Sequence, residues 1–245
     1  MTDSSVDYRE SHLAADKGEA YDRRFSENPH RAMMWQMEQK ILAWAVETLL
    51  PDRPIRHLDF ACGTGRILAY LEPRAQESVG VDLSPSMLNV ARRRVARASV
   101  IEADVTRDDV LGARTFNLIT AFRFFPNAQD TLRREAMSAL VRHLDDDGYL
   151  IFNNHLNNAS AMMRLAHAVG KYRNLGMDGS EVDDLVAGAG LEVVAVRHLG
   201  VMPSNDRYRF LPIALLRPFE QWASRYDIFR RVSQNLIYVC RRAES

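Results

Sequence analysis

The run His57-Leu58-Asp59-Phe60-Ala61-Cys62-Gly63-Thr64-Gly65-Arg66 constrains this chain more than any other stretch. An apolar, strand-like segment passes through a turn of small residues straight into a helix, so strand, tight loop and helix follow one another without a linker. Glycines at 63 and 65 allow positive φ and carry no Cβ, which lets a ligand approach the backbone N–H groups at the next helix start. Ala61, the first small residue of the turn, is expected to stay out of strongly positive φ because of its Cβ. Two phosphate-binding loops are incomplete here. Gly65 is followed by Arg66-Ile67 instead of Lys-Ser/Thr, and Leu68 stands where a dinucleotide fingerprint needs its third glycine.

The rest of the chain alternates in the same way. Strands are predicted at 55–60, 78–82, 99–103, 116–121, 148–153, 191–199 and 235–241, with helices at 65–71, 84–97, 130–143 and 179–189. Two more helices, 9–26 and 30–50, are separated by Ser26-Glu27-Asn28-Pro29, where Pro29 suits a first helical turn. Continuous apolar strands between amphipathic helices specify an α/β fold: a doubly wound, mostly parallel seven-stranded sheet with helices on both faces. An N-terminal helical cap (1–50) precedes a core (51–245), and an irregular apolar insertion at about 200–234 precedes the last strand. At 245 residues and 47% hydrophobic content, one such domain can fill its core.

Charge and cysteine usage exclude several classes. Lys+Arg and Asp+Glu are equal at 32 each, so no overall field draws the chain onto a polyanion and a nucleic-acid partner is disfavoured. Cys62 and Cys240 lie far apart with no C-x-x-C, which suggests neither a disulfide framework nor a metal site. The first residues carry acid and no apolar leader, and no window reaches the ~18 apolar residues of a membrane span, so a cytoplasmic protein without stable membrane insertion is expected.

Asp82 ends the second strand 17 residues after Gly65, where a βαβ unit returns to the same sheet edge and a carboxylate can accept both hydroxyls of a ribose. Capping of the Ser84-Pro85 turn is its structural alternative. Leu83 and Met87 would flank the nucleoside. The segment Asp59-x-Ala61-Cys62-Gly63-Thr64-Gly65 resembles motif I of the class I S-adenosylmethionine-dependent methyltransferases, with Ala61 in place of the usual first glycine. That resemblance spans roughly 55–199 and implies S-adenosyl-L-methionine as cofactor and S-adenosyl-L-homocysteine as product. It implies an antiparallel seventh strand between the fifth and sixth. It also implies that Asp59, Ala61, Gly63 and Gly65 form the cofactor loop, and that Asp104, followed by Val105, pairs with the adenine amino group. NAD is the competing cofactor; the absent third glycine and the lack of a Tyr-x-x-x-Lys pair weigh against it.

A sulfonium methyl is already electrophilic, so the chain needs mainly to align a nucleophile and exclude water, with a base only where the nucleophile carries a proton. Two strand-end segments qualify. In Phe122-Arg123-Phe124-Phe125-Pro126-Asn127, Arg123 could hold an anionic group of the substrate, with Phe122 packing on the cofactor side; core packing and an ordinary ion pair are the alternatives. The segment lacks the Asn/Asp-Pro-Pro-Tyr/Phe pattern that family members methylating amines or bases often carry. In Phe152-Asn153-Asn154-His155, His155 is the first candidate for a base, with a pKa near its ordinary value; capping or packing is the alternative. Tyr21, in a Tyr-Asp segment resembling that of many small-molecule methyltransferases, would close over the methyl site, and Arg31 would reach the cofactor carboxylate or lie on a solvated face. The apolar, basic-flanked run 207–222 reads as a pocket lid, or as a membrane-surface or homodimer contact. The expected function is methyl transfer to an oxygen of a small acceptor with some apolar surface, such as a natural product or saccharide. A non-catalytic cofactor-binding subunit, and less so an N- or nucleic-acid methyltransferase, remain open.

Overall fold

The computed structural model describes residues 8–9, 17–171, 175–204 and 211–244. Period-two alternation builds its centre. β4 (Phe116–Ala121) sends Leu118 to one face and Ile119 to the other, β5 (Leu144–Asn154) divides Ile151 from Leu150 and Phe152, and β7 (Asn235–Arg242) divides Ile237 from Leu236 and Tyr238. Each face of the sheet therefore carries its own apolar layer. One layer is covered by α5 (Asp130–Arg142) and α7 (Gly179–Ala187), and the other by α2 (Pro29–Leu49), α3 (Arg66–Leu71) and α8 (Ile213–Ala223).

With β1 (Arg56–Phe60), β2 (Glu77–Asp82), β3 (Ser99–Glu102) and β6 (Leu191–Leu199), the seven strands run in the order β3-β2-β1-β4-β5-β7-β6. The first five are parallel, and β7 is antiparallel to both β5 and β6. The order reverses between β1 and β4, which opens a crevice at the carboxyl ends of these strands.

The helix starts follow local chemistry. Asn28 caps α2, accepting from the amides of His30 (3.0 Å) and Arg31 (3.3 Å), with Pro29 at the first helical position. Ser84 caps α4 (Pro85–Arg94) in the same manner. The expected helix at 9–26 is observed as α1 (Lys17–Glu27), and Tyr8-Arg9 form a turn; 10–16 lie outside the described residues. A Cβ on Gly18 would sit 2.2 Å from the Ser86 carbonyl oxygen, so the absence of one lets α1 press onto the start of α4.

Two expectations need correction. A further helix, α6 (Ala161–Ala168), follows the Ser160 cap, whose hydroxyl accepts from the Met163 amide at 3.2 Å. The supposedly irregular insertion contains α8 and a 3₁₀ turn, Asp227–Val232; its residues 205–210 lie outside the described residues. Prolines at 212 and 218 mask the helical spacing of Ile213, Leu216, Glu220 and Ala223. Pro212 serves as the cap, and Pro218 sits inside the helix. Among the described residues, no helix is long and apolar enough to cross a membrane.

Glu220 fixes α8 to the end of β6. Its carboxylate, 1% exposed, accepts from the amides of Gly200 (3.0 Å), Val201 (3.0 Å) and Met202 (2.8 Å). Burial pushes its pKa up, against those three hydrogen bonds. Glu220→Ala strands three donors and is expected to cost about 2–4 kcal/mol. Denaturant melts measure that cost, and hydrogen exchange should show faster amides at 200–202; unchanged exchange there would mean that this anchor does not hold the segment.

Candidate functional site

The turn between β1 and α3 is more strained than its sequence suggests. Ala61, Gly63 and Gly65 all adopt positive φ, at 52°, 54° and 70°. The expectation that Ala61 avoids this region is therefore wrong, because a five-residue reversal from strand to helix requires left-handed backbone there, at a cost of about 1 kcal/mol. Hydrogen bonds hold it: Cys62 N–H donates to the Val81 carbonyl (3.1 Å), and Gly65 N–H to that of Cys62 (2.9 Å). The two glycines differ in purpose. A Cβ on Gly63 would meet no protein atom within 4 Å, so that space is open to a ligand. One on Gly65 would lie 2.9 Å from the Ala91 Cβ, so Gly65 packs α3 onto α4 instead.

A cavity of about 300 Å³ opens in front of this loop. Every residue singled out in the sequence lines it except Gly65: Tyr21, Arg31, Asp59, Ala61, Gly63, Asp82, Leu83, Met87, Asp104, Val105, Phe122, Arg123 and His155. Asp82 braces the loop, accepting from Gly63 N–H (2.8 Å) and Ser84 N–H (2.9 Å); burial raises its pKa in spite of those bonds. It thus makes the helix-turn contact that was its alternative role while still facing the cavity. Asp104 is already engaged: Oδ2 accepts from Arg9 Nε at 2.8 Å, and Oδ1 from the Thr106 amide at 3.0 Å and its hydroxyl. Burial works against its ionisation, but Thr106 and Arg9 hold its pKa below the ordinary value.

Asp59 ends a buried polar chain across three strands. Ser78 Oγ and Thr120 Oγ1 each lie 2.8 Å from a ring nitrogen of His57, and Thr120 Oγ1 donates to Asp59 Oδ1 at 2.7 Å. Burial lowers the His57 pKa to about 3, so the ring is neutral, and raises that of Asp59 to about 7 against the Thr120 bond. His155 departs from expectation too. Burial, then the charges of Arg123 and Arg31, push its pKa well below the ordinary value, so the imidazole is neutral and a weak proton acceptor.

Several residues of the site escaped the sequence reading. Arg123 has φ 62°, held by its N–H on Asn153 Oδ1 (2.6 Å) and by Asn127 Nδ2 on its carbonyl (2.7 Å). Asn153 Nδ2 donates to Asn235 (3.0 Å), and Asn235 to the fully buried Glu38 (2.9 Å). Glu38 faces the guanidinium groups of Arg66 (3.3 Å) and Arg123 (3.7 Å). An acid among Met33, Met34, Met37 and Leu42 was the available signal for Glu38, and Arg66 directly follows the loop. Tyr8 and Arg9, which line the far end of the cavity, carried no local signal. Among the described residues, no group of three or more His, Cys, Asp or Glu could hold a metal ion.

The acid at the cavity floor gives a pH test. A carboxyl whose folded pKa is raised contributes stability that is full below about pH 4 and lost as the pH rises through about 7. Asp59→Asn, which still accepts from Thr120, should gain on the parent by on the order of 1–3 kcal/mol between pH 4 and 8 in ligand-free protein. Denaturation at each pH reads this gap, and a constant gap would remove the raised-pKa account.

Residues 58–148 match a family described as "Methyltransferase domain". The chain is 33% identical over 121 residues to the 18S rRNA (guanine-N(7))-methyltransferase of Bos taurus, covering 47% of this chain and 41% of that protein. It is 32% identical over 124 residues to the dTDP-4-amino-2,3,4,6-tetradeoxy-D-glucose N,N-dimethyltransferase of Saccharopolyspora spinosa, covering 49% and 48%. Over 113 residues it is 35% identical to the demethylmenaquinone methyltransferase of Thermus thermophilus, covering 44% and 50%. The chain thus spans about half the length of the curated relatives it matches. In fold it is similar to the magnesium protoporphyrin IX methyltransferase from Synechocystis PCC 6803, solved with bound S-adenosylmethionine (TM-score 0.64, 14% identity, 99% and 100% covered). Segment 58–148 is thus similar to a methyltransferase domain, and the seven-stranded sheet shares its fold with a solved methyltransferase that binds S-adenosylmethionine.

Proposed function

We propose that this chain transfers a methyl group from S-adenosylmethionine to an oxygen of a small acceptor with substantial apolar surface. The observation that carries the reading is the open space at Gly63, continuous with Asp82 on one side and with Phe122, Arg123 and His155 on the other. A loop whose missing Cβ faces ligand space, next to a strand-end carboxylate, fits an amino-acid tail and a ribose. The cofactor, when bound, supplies a methyl electrophile on sulfonium.

The remaining work falls to the chain. Asp82 would accept the ribose hydroxyls, Leu83 and Met87 would flank the nucleoside, and Asp104 with Val105 would border the adenine. Asp59, poised near pH 7, would ionise opposite an ammonium group. Tyr21 and Arg31, from α1 and α2, would close the methionine end against water. Phe122 and Phe124, both nearly buried, give the acceptor side its apolar wall.

The neutral His155 shapes the choice of nucleophile. Protonating it would place a new cation beside Arg123 and Arg31, so an acceptor that arrives ionised, such as a carboxyl oxygen, suits this wall better than one that must lose a proton. The methylations named for two of the relatives are at nitrogen. Oxygen is favoured here by the Arg123-Phe124-Phe125-Pro126 segment, which lacks the pattern of amine-methylating members. Equal numbers of basic and acidic residues favour a small molecule over a polyanion.

Calorimetric titration with S-adenosylmethionine and S-adenosylhomocysteine tests the reading. Micromolar binding is expected, weakened at least about tenfold by Asp82→Ala, which removes both the loop brace and the ribose acceptor, a loss of ~1.4 kcal/mol or more. NAD should not bind. A folded protein that binds neither sulfur ligand would end the methyltransferase reading.

A further inference from the structure

Three guanidinium groups of the cavity wall, those of Arg31, Arg66 and Arg123, surround the ring of Phe25, with their Cζ atoms 5.3, 3.8 and 5.1 Å from its centroid. Arg66 and Arg123 share Glu38. One of its oxygens lies 3.3 Å from Arg66; the other accepts from Asn235 at 2.9 Å and stands 3.7 Å from Arg123, beyond hydrogen-bond range. Arg123 Nε is buried with no hydrogen-bond partner, and so is His155 Nδ1, next to it in the same wall. A buried donor such as Arg123 Nε is costly without an acceptor, and a site that keeps it is organised for a ligand that supplies one. The posture is also maintained at a cost. Arg123 is held at φ 62° by Asn153, and Asn153 leads through Asn235 to the same Glu38, so one polar chain links the Arg123 backbone to the carboxylate that faces its guanidinium.

We propose that Arg123 and His155, backed by Arg66 and Glu38, form a subsite for a carboxylate carried by the methyl acceptor; the assignment rests on the methyltransferase reading. The cofactor is a poor partner for the unpaired Arg123 Nε. It brings one carboxylate together with an ammonium and a sulfonium, so binding it adds positive charge to the cavity. Position agrees: Arg123 and His155 follow β4 and β5, whereas the loop, Asp82 and Asp104 follow β1, β2 and β3. The bordering Phe122 and Phe124 call for an apolar body next to the carboxylate.

The test uses benzoate and its uncharged isostere benzamide, titrated into the full chain with and without saturating S-adenosylhomocysteine. Benzoate is expected to bind at least about tenfold more tightly than benzamide with the sulfur ligand present. Arg123→Gln should erase that preference while leaving S-adenosylhomocysteine affinity within about twofold, and Arg123→Lys, which keeps the charge but not Nε, should restore part of it. Equal binding of the two probes to the parent protein, or a preference that survives Arg123→Gln, would overturn the subsite. So would displacement of benzoate by S-adenosylhomocysteine, which would assign the cluster to the cofactor's own carboxylate. Failure of S-adenosylhomocysteine to bind, with the benzoate preference intact in its absence, would remove the methyltransferase reading and the acceptor role with it.

Discussion

A chain leaving β1 has five residues in which to turn from the sheet into α3, and that reversal forces left-handed backbone at Ala61, Gly63 and Gly65. Much of the site follows from this turn. Its strain is balanced by the Cys62 and Gly65 backbone bonds and by Asp82, whose carboxylate ties Gly63 to the start of α4. From behind, Arg94 in α4 donates to the Thr64 carbonyl (2.8 Å) and hydroxyl (3.0 Å) and pairs with Asp22 of α1. The loop, the second strand end and the overlying helix are therefore one mechanical unit. A ligand bound at Gly63 touches something already rigid, which lowers the ordering cost of binding.

The second half of the cavity is organised by charge rather than by backbone. Glu38 is buried on α2 in the middle of an apolar helix face, and removing it would leave Arg66 and Arg123 facing each other in a low dielectric. Through Asn235 and Asn153 it also reaches the backbone of Arg123, so β5, β7 and α2 all act on one guanidinium. Helix α2 thus covers the sheet and also polarises the site. The neutral His155 follows from the same arrangement, since burial and two arginines oppose its protonation.

Much of this was legible in the chain. The strand periods, the loop, Asp82 and the position of β7 followed from residue pattern and family resemblance, because buried parallel strands and tight turns leave local marks. Other features left no such mark. The helix Ile213–Ala223 was hidden by prolines at its cap and in its interior. Arg9 reaches Asp104 across 95 residues and Asn235 reaches Glu38 across 197, and no local window records a contact of that span.

The sequence alone determined that a glycine-opened turn would stand at the carboxyl end of the first strand, with a carboxylate at the end of the second. Both are consequences of φ freedom and of strand-helix spacing, which are local properties. Only the tertiary structure decided the protonation state of His155, the raised pKa of Asp59, the left-handed Ala61 and the sharing of Glu38 by two arginines. Those depend on burial and on charges brought from distant elements, and a pKa or a strained φ is set by what surrounds a residue rather than by what it is.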